Sequence, residues 1–521
     1  MPQAHLYGES KPAGNKMMMS PYLRLFRREL KARERAGGFS ASGEFLEECL
    51  DLWTAPEQRV VVCLELARYQ LIRGEWERCL ASLDQVGASE HLLHPADRTL
   101  YHLVSARLHA GYGDLNQSMA FLEIALEEAE VAGGAILLET VVELGGLFHR
   151  LGERERGNEF LERAESLLQE TPEPEVQAAL WVQKGLLAFR GGRPGEAEEA
   201  YKRAFGLLPS PEQPSVARGE IRRYLGVLAA TDSRPEDALN YLRDALEDFR
   251  RVRHPLGSAK AYNSLGQTCL RLGRHAEARY FLETAETMCR ELGAEAERAS
   301  ILGKLGRVYS ETGQFEKAIE FQQEDLDLTS RFGNYRALAY ALRNLGLSHR
   351  AQGEFEKAAS YLLDSRDRFA ELGDQMPLVR ANLDLVTTLV ELNRWEQAAA
   401  DLEDALEILE KRFEASPELP WAHLLAGILA VHRGDRGEAE TSLWQALELS
   451  ETFPNPSRQA SIFLELAKLY GGTRDREAAV ENLISAYRVA RAHNLPVLST
   501  VIKKLHESSP RSLFDLLLDR G

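Results

Sequence analysis

Arginines recur through the middle of this 521-residue sequence at Arg223, Arg307, Arg343, Arg350 and Arg380, with Lys260 between the first two. A guanidinium presents a planar fork of donors that can grip a carboxylate at both oxygens. A row of them would hold an acidic ligand, with Asn263 and Asn344 adding amides and Tyr340 an aromatic surface. Catalytic chemistry has no comparable set. There is no GxxxxGK[ST] phosphate loop, no HExxH, no GxSxG elbow and no GxGxxG turn after a strand. The 13 histidines are scattered, and acidic pairs such as Glu127-Glu128 read as solvated helix faces. The five cysteines (Cys49, Cys63, Cys79, Cys269, Cys289) form no CxxC pair, so reduced, buried thiols are expected, with no metal site and no cofactor.

The elements that must position these residues repeat. Leu265-Gly266, Leu305-Gly306 and Leu345-Gly346 are each followed by a turn glycine (Gly273, Gly313, Gly353), then a small residue (Ala278, Ala318, Ala358), then a closing glycine (Gly293, Gly333, Gly373). The small register position runs Ala67, Ala106, Gly145, Gly185, Gly226, Gly266, Gly306, Gly346, Val386, Gly427 and Ala467. A second small position follows twelve residues later, and a third seven beyond that. Glycine between two helical stretches stops the first, and small residues let two helix axes approach. Each unit is therefore a helical hairpin whose apolar face is covered only when neighbours stack on it.

The pattern Leu-Gly, Tyr309, turn glycine, Ala318 and a later alanine resembles the tetratricopeptide repeat. Gln314-Phe315-Glu316-Lys317-Ala318 and Glu354-Phe355-Glu356-Lys357-Ala358 are especially close to its signature. The 40-residue spacing and Asn344-Leu345-Gly346 resemble Pins-type scaffolds, kinesin light chains and MalT-type regulatory domains. Gln267, Arg307 and Leu347 stand where those proteins often carry an asparagine after the glycine. The resemblance implies an all-α, right-handed superhelical solenoid of about eleven helix-turn-helix repeats with capping helices. It also implies that the first helices line a concave groove in which a partner segment lies.

Helical geometry selects the groove positions: six and three residues before each register position, and one, four and five after it. Twelve of these carry a basic residue and four an acidic one, although the whole chain has 63 basic and 80 acidic residues. The inward face thus inverts the sign of the exterior, and an acidic protein or peptide segment is the expected partner. The expected binding residues are Arg223, Lys260, Asn263, Arg307, Tyr340, Arg343, Asn344, Arg350 and Arg380. Two apolar inward segments, around Phe189 and around Trp421, offer an alternative site.

A net charge of −17 argues against nucleic acid as the partner of the whole surface. No apolar run is long enough for a transmembrane helix, and the N-terminus lacks a signal-peptide core, so a cytoplasmic protein is expected. Residues 1–20 read as a disordered tail and 21–54 as N-terminal capping helices. Residues 55–491 form the repeat array, and 492–521 C-terminal capping helices. The basic amphipathic stretch from Pro21 to Ala36 reads either as a cap or as an element touching an acidic partner or membrane surface. The Leu-rich stretch near Leu516 leaves self-association through the terminal helices open. No composition shift divides the array. The function expected is a non-enzymatic adaptor. The alternative is a sensor whose superhelix changes shape on binding a signal peptide or small molecule.

Overall fold

The computed structural model describes residues 39–493, apart from 152, 169–173, 191–192, 209–213, 233, 332–333, 414–415 and 472–475, together with residues 23, 25–30 and 33. The expected disordered tail and the C-terminal caps lie outside the described residues. So does most of the stretch from Pro21 to Ala36.

Every regular element described is helical. After α1 (Phe39–Leu52) come eleven helical hairpins. They are α2 (Pro56–Arg73) with α3 (Trp76–Gly87), α4 (Pro95–Tyr112) with α5 (Leu115–Ala132), and α6 (Gly134–Leu151) with α7 (Arg154–Leu167). Next are α8 (Pro174–Arg190) with α9 (Pro194–Gly206), α10 (Val216–Thr231) with α11 (Pro235–Arg251), and α12 (Pro255–Arg271) with α13 (His275–Leu292). Then follow α14 (Glu295–Glu311) with α15 (Phe315–Arg331), and α16 (Tyr335–Gln352) with α17 (Phe355–Glu371). The last are α18 (Gln375–Glu391) with α19 (Trp395–Arg412), α20 (Leu419–Arg433) with α21 (Arg436–Thr452), and α22 (Pro456–Gly471) with α23 (Arg476–Ala492). The first helix of each hairpin carries the register position read from the sequence.

The coupling between small positions has a steric cause. A Cβ on Gly266 would lie 2.6 Å from Leu282 Cγ and 3.2 Å from the carbonyl oxygen of Ala278, twelve residues on. On Gly346 it would meet Leu362 Cγ at 2.8 Å and the Ala358 carbonyl at 3.2 Å. The two helices of a hairpin thus touch backbone to backbone at this point. The turn glycines Gly273, Gly313 and Gly353 have φ of 69°, 77° and 88°, and Asn393 takes the same left-handed conformation at 58°.

The chain packs as two compact units: residues 1–308 with 328–334, and residues 309–327 with 335–521. Composition does not mark this division. In the first unit, Phe26 and Leu30 of the helical stretch at 25–30 are each 3% exposed and join the core of α1 and α2. Arg27 of the same stretch pairs with Asp97 and Glu65. Residues 26, 27 and 30 of this stretch therefore pack on α1 and the first hairpin. All five cysteines are buried and free, and burial pushes the Cys79 and Cys289 thiols up to about 12.

The first unit also closes on itself. α2 touches α12, and a Cβ on Gly74 would sit 3.4 Å from both Leu256 and Leu292. His254, just before α12, accepts the Gly257 N–H at its Nδ1 (2.8 Å) and bonds the Ile72 backbone at the end of α2. Burial is the main reason that its imidazole titrates at about 4 instead of 6.5; the nearby Glu220 charge opposes the shift. Between those values the unfolded chain binds a proton that the folded chain refuses. Stability is therefore complete above pH 6.5 and falls as pH drops towards 4, by on the order of 3 kcal/mol for this group. In His254→Asn, which keeps the cap acceptor, the denaturation midpoint should depend less on pH across that window than in the parent.

Candidate functional site

Inside the closed first unit, the first helices of successive hairpins turn charged side chains towards one enclosed space. α4 supplies Arg107 and α6 supplies Glu139, Glu143 and Arg150. α10 supplies Glu220, Arg223 and Tyr224, α12 supplies Lys260, and α14 supplies Glu297. All are half-buried. Arg107 donates to Glu139 at 2.7 Å and to Glu143 at 2.6 Å. Arg223 donates to Glu220 at 2.7 Å and lies 4.3 Å over the Tyr224 ring. Lys260 faces Glu297 at 3.6 Å. Burial pushes the Glu220 carboxyl up, but Arg223 and then Lys260 outweigh it and hold it at about 2. Burial likewise opposes the charge of Arg107, Arg223 and Lys260, and the facing glutamates overcome it, so all three titrate above their ordinary values.

Arg150 differs. Among the described residues it has no hydrogen bond and no ion pair. Burial holds it below the ordinary arginine range, while Glu143, Glu297 and Tyr224 act on it only from a distance. These influences reach it from α6, α10 and α14, so the space is narrow enough for charges on several walls to interact. On α8, Val182 and Phe189 are half-buried and pack against the core around Tyr201.

Of the sequence-selected residues, Arg223, Lys260, Asn263 and Arg307 belong to the first unit. Arg223 and Lys260 line the enclosed space. The Asn263 Oδ1 is buried with no hydrogen-bond partner, and Arg307 is exposed. Tyr340, Arg343, Asn344, Arg350 and Arg380 belong to the second unit. There Arg343 donates to Asp384 at 2.7 Å, and Arg350 stands 3.7 Å from the same carboxylate. Arg380 donates to Glu418 at 2.8 Å. Tyr340 is 39% exposed, edge-on to Phe369, and Asn344 is half-buried. Near the alternative site, Arg458 lies 4.7 Å over the Trp421 ring.

The inward cations are thus largely matched by acids that the sequence reading did not count. Glu143 and Asp384 lie two residues before the register position, and Glu297 and Glu418 nine before it. A wider inward face would have included them. The histidines on these helices serve packing: His349 bonds Glu354 at 2.7 Å and stacks on Tyr361, and His432 stacks on Trp395 at 3.8 Å. Among the described residues no group of three or more His, Cys, Asp or Glu side chains could hold a metal, and no helix is long and apolar enough to cross a membrane.

A family model described as tetratricopeptide repeat matches residues 217–291, 257–331, 297–371 and 337–411, and a second of the same description matches 420–443. No curated protein matches the sequence. Among solved structures, a Rap protein complexed with Competence and Sporulation Factor is similar at 12% identity and a TM-score of 0.52, over 72% of this chain and 100% of that one. A chain of the APC/C hetero-tetramer Cut9-Hcn1 is similar at 16% identity and a TM-score of 0.50, over 93% of this chain and 96% of that one. At such identities the likeness concerns the fold. The matched repeats share one register with the hairpins before and after them, and residues 217–411 and 420–443 are tetratricopeptide repeats.

Proposed function

We propose that this protein is a non-enzymatic adaptor that holds an acidic segment of a partner protein or peptide on the inward face of its repeats. The observation that carries the reading is Arg150. The other cations reaching the enclosed space of the first unit are neutralised by their own glutamates, so Arg150 is the group that gains most from a ligand carboxylate. A charge-assisted bond shielded from water contributes about 1.5–3 kcal/mol, against about 0–1 kcal/mol for an exposed pair. Val182 and Phe189 offer an apolar side chain of the same segment a place beside it. Arg223, Lys260, Asn263 and Arg307 complete the inward face of the first unit. Tyr340, Arg343, Asn344, Arg350 and Arg380 supply that of the second. The acidic exterior disfavours binding of the same segment outside.

The contact of α2 with α12 favours a second reading, a sensor. A ligand entering the closed unit would alter that contact, and the array would change shape on binding. Both readings place the protein in the cytoplasm.

The experiment is co-purification from native lysate on the parent and on Arg150→Gln, with elution by rising salt. The parent should retain a partner at low salt and release it at high salt, since screening weakens partly exposed pairs. Arg150→Gln should retain markedly less. Equal retention on both baits would place the site elsewhere, with the Trp421 segment next to be tested.

A further inference from the structure

The second unit contains a cavity of about 500 Å³ between α17, α18 and α19. Its floor is Leu385 and Leu389 of α18, one wall is Ala359 and Leu363 of α17, and Arg366 and Asp401 close the end. Leu363 is 40% exposed on this wall. At the mouth Arg394 donates to Glu356 at 2.9 Å.

The cause of the cavity is legible in the repeat register. In four of the eleven hairpins, the positions three and fifteen residues after the register position carry rings that stack on one another. Phe148 meets Phe160 at 5.4 Å, Tyr309 meets Phe321 at 5.3 Å, and His349 meets Tyr361 at 5.4 Å. In the hairpin α18–α19 the same two positions are Leu389 and Asp401, and both line the cavity. Where α15 and α17 carry a ring, α19 carries a carboxylate, which Arg366 reaches across to bind at 2.8 Å. Burial, aided by Asp404 and Asp367, raises the Asp401 carboxyl above its ordinary range, and Arg366 pulls it back. For packing alone a carboxylate here is unfavourable, because it fills less space than a ring and its charge is desolvated. Departures from a local rule of this kind concentrate at functional positions.

The trough continues past Arg366 into a second space of about 450 Å³, lined by Leu378, Asn382 and Ile408. Asn382 is 3% exposed, and its Oδ1 has no hydrogen-bond partner. From Leu378 to Leu389 the floor runs about 16 Å along α18 at the helical rise per residue. That length suits a stretch of polypeptide better than a single small molecule.

We propose that this cavity is a socket for one tyrosine or tryptophan side chain of a partner protein. The ring lies on Leu385 and Leu389, where the two preceding hairpins lay their own. Arg366 covers its face, as Arg203 covers Trp181 at 3.9 Å elsewhere in this chain. Asp401 accepts a hydrogen bond from the hydroxyl or the indole N–H, and Asn382 accepts one from the segment that follows. The socket is independent of the Arg150 site, and either can fail without the other.

The probes are N-acetyltryptophanamide, N-acetyltyrosinamide and N-acetylphenylalaninamide, observed by saturation-transfer NMR on the full chain. The proteins are the parent, Asp401→Phe, which supplies the ring in the chain itself, and Ser360→Trp, which fills the cavity from an exposed position of α17. The tryptophan and tyrosine probes should receive saturation from the parent, with the phenylalanine probe at least about threefold weaker. Both signals should vanish in the two filled variants, and Ser360→Trp carries the comparison if Asp401→Phe does not fold. Silence of the parent, or equal transfer in parent and filled variants, would overturn the proposal. Free indole binding more tightly than the amide probes would overturn the assignment to a protein partner in favour of a small aromatic molecule.

Discussion

Asp248→Leu should lower the unfolding free energy by about 3–5 kcal/mol, the usual cost of leaving a buried charge without its partner. Asp248 of α11 is 1% exposed and holds two arginines of α10. Arg218, itself 6% exposed, donates to both carboxylate oxygens at 3.0 Å through Nε, and Arg222 donates through Nη1 at 2.9 Å. Removing the carboxylate takes away the buried negative charge that Arg218 and Arg222 share inside the hairpin. Arg218→Met should cost less, because Arg222 still holds Asp248. The double variant Arg218→Met with Asp248→Leu should recover much of the loss, since an apolar pair of similar volume needs no desolvated charge. Denaturant melts of the four proteins form the cycle. A single Asp248→Leu that costs under about 1 kcal/mol would mean that this triad is solvated in solution.

Gly266→Val should cost about 3 kcal/mol, at the upper end of the usual range for overpacked cores. The new side chain would meet Leu282, which can move, and the Ala278 carbonyl, which cannot do so without displacing α13. Because each hairpin is supported by its neighbours, the loss should appear as a lower melting temperature of the whole cooperative transition rather than as a separate early step. Glu320→Ala, on the exposed face of α15, is the control and should melt with the parent. Equal melting of Gly266→Val and Glu320→Ala would contradict the hairpin contact.

The helical hairpins and their register were legible because they rest on sterics that a sequence states directly. Gly266 with Ala278, and Gly346 with Ala358, are paired in sequence for the same reason that they touch in space. The ring pairs were not read from the sequence, because the column that holds Phe160, Phe321 and Tyr361 also holds Ser82, Ala200, Ser442 and Asn482. The inward location of Arg107, Arg150, Arg223 and Lys260 also followed from helical geometry. What helical geometry could not give is which cation is already satisfied. Lys260 meets Glu297, and Arg380 meets Glu418, from different hairpins. Both acids lie at the starts of their helices, outside the face chosen from the period of a single helix. The meeting of α2 with α12 joins residues far apart in sequence and leaves no mark on local pattern. Arg150 therefore looked like one basic residue among twelve, although the fold singles it out.

The most direct test of the binding account is a two-by-two titration. An acidic peptide is selected from a displayed library on the parent protein, and its acidic residues are then replaced by their amides. Both peptides are titrated into the parent and into Arg150→Gln by calorimetry, after melts show the two proteins equally folded. The account predicts that Arg150→Gln binds the acidic peptide at least tenfold more weakly than the parent, about 1.4 kcal/mol, while the amide peptide binds both proteins alike. Equal affinity of the acidic peptide for the parent and for Arg150→Gln would contradict it.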